Sequence, residues 1–195
     1  MKFGEEALRA IYGVWQVALG RVDVSRYFNL SVDGFWRSFL VAFILFPLLL
    51  PALFSAAGDG AGASTQDFMA LVAAYAFGWV AYPLAMVGVS ALLGCGERYA
   101  AYVIVYNWGR VLVTAVQLPL ILLSVGGLVD ISAIRSAALL VQIAIYYFQW
   151  RIIAATLKPP LGGALAVMVV YFLLVDAMPT LLVAAMSSGI AVPQG

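Results

Sequence analysis

The chain contains no histidine and one cysteine, and only 10% of its 195 residues are Asp, Glu, Lys or Arg. Each shortage excludes something. Without histidine the commonest metal ligand and general base is missing, so a haem, zinc or Ser-His site is not expected. The single thiol, Cys95 in "GCGER", cannot close an internal disulfide or hold a metal alone, and it reads as an inert reduced thiol. A net charge of +1 leaves no basic excess for nucleic acid. The acids are scattered. Glu5, Glu6 and Glu97 come nearest to a cluster and read as solvated helix-end charges, so neither an enzyme nor a cofactor is expected.

The rest of the chain is apolar. A soluble domain is about 45–50% apolar and about 25% charged. This chain is 65% apolar and has too little polar surface to cover a water-soluble core. It reads as an all-α polytopic membrane protein. No compact basic region with an A-x-A site precedes the first long apolar run near Phe35, so that run is expected to stay as a transmembrane helix.

Five apolar segments, 35–55, 68–93, 100–125, 136–157 and 163–186, are each long enough to cross about 30 Å of hydrocarbon at ~1.5 Å per residue. The breaks fall at "AAGDGAGASTQD", "GCGER", "GGLVDIS" and "KPPLGG". With a cytoplasmic N-terminus, Lys2, Arg9, Arg21, Arg26, Arg37, Arg98 and Lys158 lie inside, and Arg110 and Arg151 fall in the inner halves of their helices. Only Arg135 lies outside, which is a strong positive-inside bias. The expected organisation is a cytoplasmic amphipathic segment over 1–34, a five-helix transmembrane domain over 35–186, and a short outer tail over 187–195.

Within the first segment, Phe3, Leu8, Ile11, Tyr12, Trp15, Leu19 and Val22 recur at helical spacing, with Glu5, Glu6, Arg9, Gln16 and Arg21 mostly elsewhere around the helix. The pattern fits an interfacial helix on the cytoplasmic leaflet, and a partner-binding helix would look the same. Pro47 and Pro51 predict a bend in the first span. Ala70, Ala74 and Gly78 form a small-xxx-small packing face in the second, and Tyr82-Pro83 marks a further bend there.

The polar groups inside the apolar runs are not scattered. Asn107, Arg110, Thr114 and Gln117 in "NWGRVLVTAVQLP" are spaced 3, 4 and 3, which places them in one arc of the third span. Arg135, Gln142, Tyr146, Gln149 and Thr156 make a second stripe on the fourth span. Asp176 on the fifth lies ~20 Å from the inner end, near the ~16 Å depth of Arg110, with Thr180 and Ser187 following on its face. Pro179 removes the usual partner of the Val175 carbonyl beside it. An isolated ion at that depth costs from ~2.5 to above 10 kcal/mol, so an Arg110–Asp176 ion pair is expected, with Asn107 and Gln149 on its inner side and Gln117 and Gln142 on its outer side. Such a seam is either interhelical glue or a polar cavity or conduction path for a small ion, proton or headgroup.

The five-span layout, the long N-terminal segment, the short loops and the stretch "ERYAAYVIVYNWGRVLVTAVQLP" opening the third span resemble the bacterial branch of the Yip1 family of small membrane proteins, across residues 35–186. The Asp-Leu-Tyr-Gly-Pro element of the eukaryotic members is absent, so their vesicle-trafficking and GTPase-partner role is not carried over. The chain is also similar to small inner-membrane proteins of proteobacteria, and neither likeness implies a catalytic residue. The expected function is a non-enzymatic membrane module of the bacterial inner membrane: a scaffold, accessory subunit or lipid-binding protein. Its expected partners are membrane lipid and another membrane protein or a second copy of itself. The alternative is a small transporter or channel for an ion or small solute that uses Arg110 and Asp176.

Overall fold

The computed structural model describes residues 3–21, 23–56, 65–126 and 129–188. Among these residues the chain is helical and contains no strand. In order come α1 (Phe3–Ala18), α2 (Val24–Tyr27), α3 (Val32–Ser38), α4 (Leu40–Ala56), α5 (Thr65–Leu92), α6 (Tyr99–Val125), α7 (Ile131–Thr156), α8 (Leu161–Tyr171) and α9 (Met178–Ser188). A 3-10 turn, Gly96–Arg98, leads into α6, and a π-helical segment, Phe172–Ala177, joins α8 to α9. The expectations that rest on Lys2, Val22, the loop over 57–64 and the tail beyond Ser188 fall outside the described residues.

Four stretches, Phe68–Leu92, Gly96–Ser124, Ser132–Thr156 and Leu161–Leu182, are long and apolar enough to cross a membrane. They match the last four expected spans. The first expected span differs, because the run over 35–55 is not one helix. It is divided at Phe39 between α3 and α4, where the Phe39 amide donates to the Trp36 carbonyl. Ser38 gives a local cause: its hydroxyl donates back to the Phe35 carbonyl at 2.7 Å, a bond that competes with the helical pattern and bends helices. Beyond this break, α4 has 17 residues and is about 25 Å long by helical rise. It stays helical through Pro47 and Pro51.

The hub is α6. Every residue from Tyr102 to Gly109 is buried, enclosed as α6 packs against α1, α3, α4 and α7. The far half of α5 is covered differently, by α9. Gly109 lets α6 and α7 meet closely, since a Cβ there would lie 2.9 Å from Ile152 Cδ1. The α7 ends are both satisfied. Asp130 caps the start by accepting from the Ser132 amide at 2.7 Å, and hydrogen bonds from Ser132 hold its carboxyl below the usual carboxylate range. At the other end Arg98 Nη1 donates to the Leu157 carbonyl at 3.0 Å. Cys95 is buried in the turn that precedes α6.

The amphipathic helix α1 packs along the flanks of α6 and α7 rather than only at their ends. The Phe3 ring lies 6.1 Å from that of Trp108, and Trp15 and Ala18 reach the Leu112–Val116 and Ala144–Phe148 levels. It also buries the face opposite to the large apolar one. Ala10, Val14 and Val17 go inward with Glu6 and Gln16, while Leu8, Ile11, Tyr12, Trp15 and Leu19 stay exposed. Small residues explain the choice, because Gly13 admits α2 so closely that a Cβ would lie 2.4 Å from Tyr27 Cβ.

Glu6 therefore corrects the expectation of a solvated helix-end charge: it is 3% exposed. Arg37 of α3 meets it at 3.2 Å and also holds Asp33 at 2.9 Å. Asn29 donates to the other Glu6 oxygen at 3.4 Å. Glu5 and Glu97 are exposed as expected. The α3 start is equally tight: Ser31 caps Gly34 N at 3.1 Å, and a Cβ on Gly34 would sit 2.0 Å from the Asn29 carbonyl oxygen.

The small-residue series of α5 is buried at Ala70, Ala74 and Gly78, yet a Cβ on Gly78 would meet nothing within 4 Å. Close helix approach thus does not require glycine there. The two glycines should respond oppositely. Gly34→Ala should lower thermal stability in detergent by about 2 kcal/mol or more, whereas Gly78→Ala should leave it unchanged or raise it by up to about 1 kcal/mol. Circular-dichroism melts of the two variants check the contrast.

Candidate functional site

The third-span arc splits on folding. At about 100° per residue, Arg110 and Gln117 lie on one flank of α6, while Asn107 and Thr114 lie about 40–80° round from them. The first two line a cavity of about 160 Å³ between α6, α7 and the α8–π segment. Gln142 and Gln149 of α7 and Asp176 of the π segment complete its polar lining, and Tyr106 and Tyr171 add aromatic walls.

Asn107 points elsewhere. It is fully buried and its Nδ2 donates to Ser38 Oγ at 2.9 Å, tying α6 to α3. Thr114 is buried without lining the cavity, and Thr180 is exposed and donates to its own helix, at the Asp176 carbonyl, at 2.8 Å. Of the second stripe, Arg135 is exposed and Thr156 donates to the Ile152 carbonyl of its own helix.

The expected Arg110–Asp176 ion pair does not form. No nitrogen of Arg110 lies within 4.0 Å of an Asp176 oxygen, although both line the same cavity. Each has other partners. Arg110 stacks over Trp79, its Cζ 4.2 Å from the ring centre, and its Nη1 donates to the Gly78 carbonyl at 3.1 Å and to the Tyr106 hydroxyl at 3.3 Å. An aromatic face and two oxygen acceptors hold a guanidinium without neutralising it. Asp176 Oδ2 accepts from the Tyr146 hydroxyl at 2.9 Å and from Gln142 Nε2 at 3.4 Å.

Beneath the cavity lies a network that sequence spacing did not disclose. Gln149 Nε2 donates to the Tyr102 hydroxyl at 2.7 Å and to the Tyr82 hydroxyl at 3.3 Å, and those two hydroxyls are bonded to each other. Tyr82 and Tyr102 are completely buried, and Tyr106 and Tyr171 stack around them. The available signal was Tyr102 and Tyr106 at i and i+4 with Tyr82 before a proline, but such a stripe reads as ordinary core. The π segment was signalled only through Pro179. A proline that cannot donate to the Val175 carbonyl fits a helix that widens there, and such wide turns recur at functional positions.

Among the described residues no group of three or more His, Cys, Asp or Glu could hold a metal ion. No known protein family, curated protein or solved structure matches the chain. The cavity and its lining therefore carry the functional argument alone.

Gln149 is buried and holds two buried tyrosine hydroxyls. Gln149→Leu should cost about 1–3 kcal/mol through the two lost donations, while Gln117→Leu, at the cavity edge, should cost under about 1 kcal/mol. Chemical or thermal unfolding in one detergent ranks them.

Proposed function

We propose that the chain is an integral membrane protein of the bacterial inner membrane that binds, and moves, a small polar solute through the cavity between α6, α7 and the π segment. One observation carries this reading: a guanidinium and a carboxylate line a single internal cavity and are not paired with each other. A seam serving only as interhelical glue would bring the two charges together, because each is costly when unneutralised in an apolar bundle. The irregular helix at Asp176 supports the same reading, since helices broken beside a central site are a feature of many transporters.

In this proposal α4 is a fifth, short span and the N-terminus is cytoplasmic. Phe43, Ile44 and Leu48 of α4 are exposed apolar side chains, as a lipid-facing surface requires, and the Lys and Arg distribution favours the orientation. The exposed stripe of Leu8, Ile11, Tyr12, Trp15 and Leu19 then meets lipid.

A second reading, a lipid-binding or accessory module, is favoured by a different feature. An apolar groove of about 480 Å³ runs between α4 and α5, lined by Phe43, Phe46, Tyr75 and Trp79 among others. A clean monomer that retains no lipid would count against it.

Two measurements test the first reading. In sealed inverted and right-side-out vesicles, on a Cys95→Ser background, Glu97→Cys should be labelled from the cytoplasmic face and Asp130→Cys from the outer face; the reverse pattern inverts the topology. In proteoliposomes, uptake of small polar solutes should fall at least about tenfold in Asp176→Asn, a loss of about 1.4 kcal/mol or more in transition-state stabilisation. Unchanged uptake in that variant removes the carboxylate from the mechanism.

A further inference from the structure

We infer that the ligand of this cavity is a zwitterion of small amino-acid size, its carboxylate on Arg110 and its ammonium on Asp176; the inference rests on the solute-binding reading above. A simple anion would meet Arg110 but also face the Asp176 carboxylate, and a simple cation would meet Asp176 but also face the guanidinium. Both groups line the same cavity. Only a ligand carrying both signs on neighbouring atoms satisfies the two walls at once, and it adds no net charge to an apolar bundle, where net charge is most costly.

The hydrogen-bonding capacity left at each wall agrees. The two Arg110 donations to protein both use Nη1. Neither Nε nor Nη2 takes part in them, so the guanidinium retains the fork of donors that suits a carboxylate. At Asp176 both donors fall on Oδ2. Oδ1 takes part in neither bond, and a carboxylate oxygen is an acceptor that matches an ammonium. Gln117 and Gln142, which offer both donors and acceptors, also line the cavity.

Size narrows the class. A cavity of about 160 Å³ holds roughly five waters at ~30 Å³ each. That room suits a ligand of about half a dozen non-hydrogen atoms, such as alanine. The close α6–α7 approach at Gly109, beside Ile152 and Phe148, closes one side of the space to anything longer.

The test uses the full chain in nanodiscs at pH 7, with calorimetric titration of four probes: alanine, propionate, which lacks the ammonium, ethylamine, which lacks the carboxylate, and urea, which carries no charge. Alanine should bind at least about tenfold more tightly than propionate or ethylamine. Arg110→Gln should abolish the preference for alanine over ethylamine, and Asp176→Asn the preference for alanine over propionate. Propionate or ethylamine binding as well as alanine overturns the inference, as do preferences that survive in both variants. Should either variant fail to fold, the wild-type ranking still decides. Binding of urea or of one singly charged probe, with none of alanine, overturns the zwitterion while leaving the solute-binding reading in place. Absence of binding by all four compounds overturns both.

Discussion

Hydrocarbon offers no hydrogen bonds, and polar groups carried into a bundle this apolar depend on partners within the protein; among the described residues Trp79 Nε1, Asn107 Oδ1 and Arg151 Nε are the buried side-chain atoms left without one. That constraint accounts for the way α6 is enclosed. From Tyr102 to Gly109 the helix has no exposed face, and the partners come from every side. Gln149 of α7 serves the hydroxyls of Tyr102 and Tyr82, Ser38 of α3 receives Asn107, and Gly78 of α5 receives Arg110. The hydrogen bonds fix which helices are neighbours, while the apolar surfaces around them are interchangeable by comparison. Even the N-terminal segment obeys the rule. The buried Glu6 draws Arg37 and Asn29 to it, and so α1, α2 and α3 become part of the bundle rather than a layer resting on it.

Arg110 and Asp176 show that satisfying a charge and neutralising it are different things. A guanidinium over an indole face, with a backbone carbonyl and a phenol as acceptors, is well solvated by the protein but remains a cation. The Asp176 carboxyl is held by a phenol and an amide and not by the guanidinium. Had the two been placed in contact, the cavity would hold a closed pair and little else. Separate supports keep the field across the cavity, which is the property that a recognition site needs and that a packing seam does not.

The sequence disclosed the architecture more readily than the site. Long apolar runs closed by Gly, Pro and Asp clusters specify helices almost without reference to tertiary structure, and four of the five expected spans stand where the composition put them. The first run is divided at Phe39 between α3 and α4, next to the Ser38 hydroxyl that donates to the Phe35 carbonyl, and a hydrophobicity window does not register one hydroxyl among apolar neighbours. For α1 the spacing defined two faces but not which one the protein would bury. Large apolar groups suggested a contact face, yet small residues decided it, because close packing depends on what a residue lacks as much as on what it offers. In the polar seam, spacing assigned Arg110, Gln117, Gln142, Gln149 and Asp176 to a shared interior, and all five line one cavity. It could not separate Asn107 and Thr114 from them, since an arc of about 80° on a helix is wide enough to face two neighbours. Nor could it show that the charges would stay apart, because depth along two helices says nothing about the distance between them.

The two charged walls differ in how firmly they are built. Arg110 follows directly on the buried stretch Tyr102–Gly109 of α6, and its guanidinium is held by an aromatic face and two acceptors. Asp176 lies in a π-helical turn between α8 and α9, on a helix whose Phe172, Leu173 and Met178 side chains are exposed. A π turn has fewer backbone hydrogen bonds in regular register than the α-helix around it, and a proline three residues on takes one more donor away. Displacing that wall therefore breaks fewer contacts than displacing α6. If the cavity opens and closes, the low-cost path moves Asp176 relative to a stationary Arg110, and the field across the site changes with the movement.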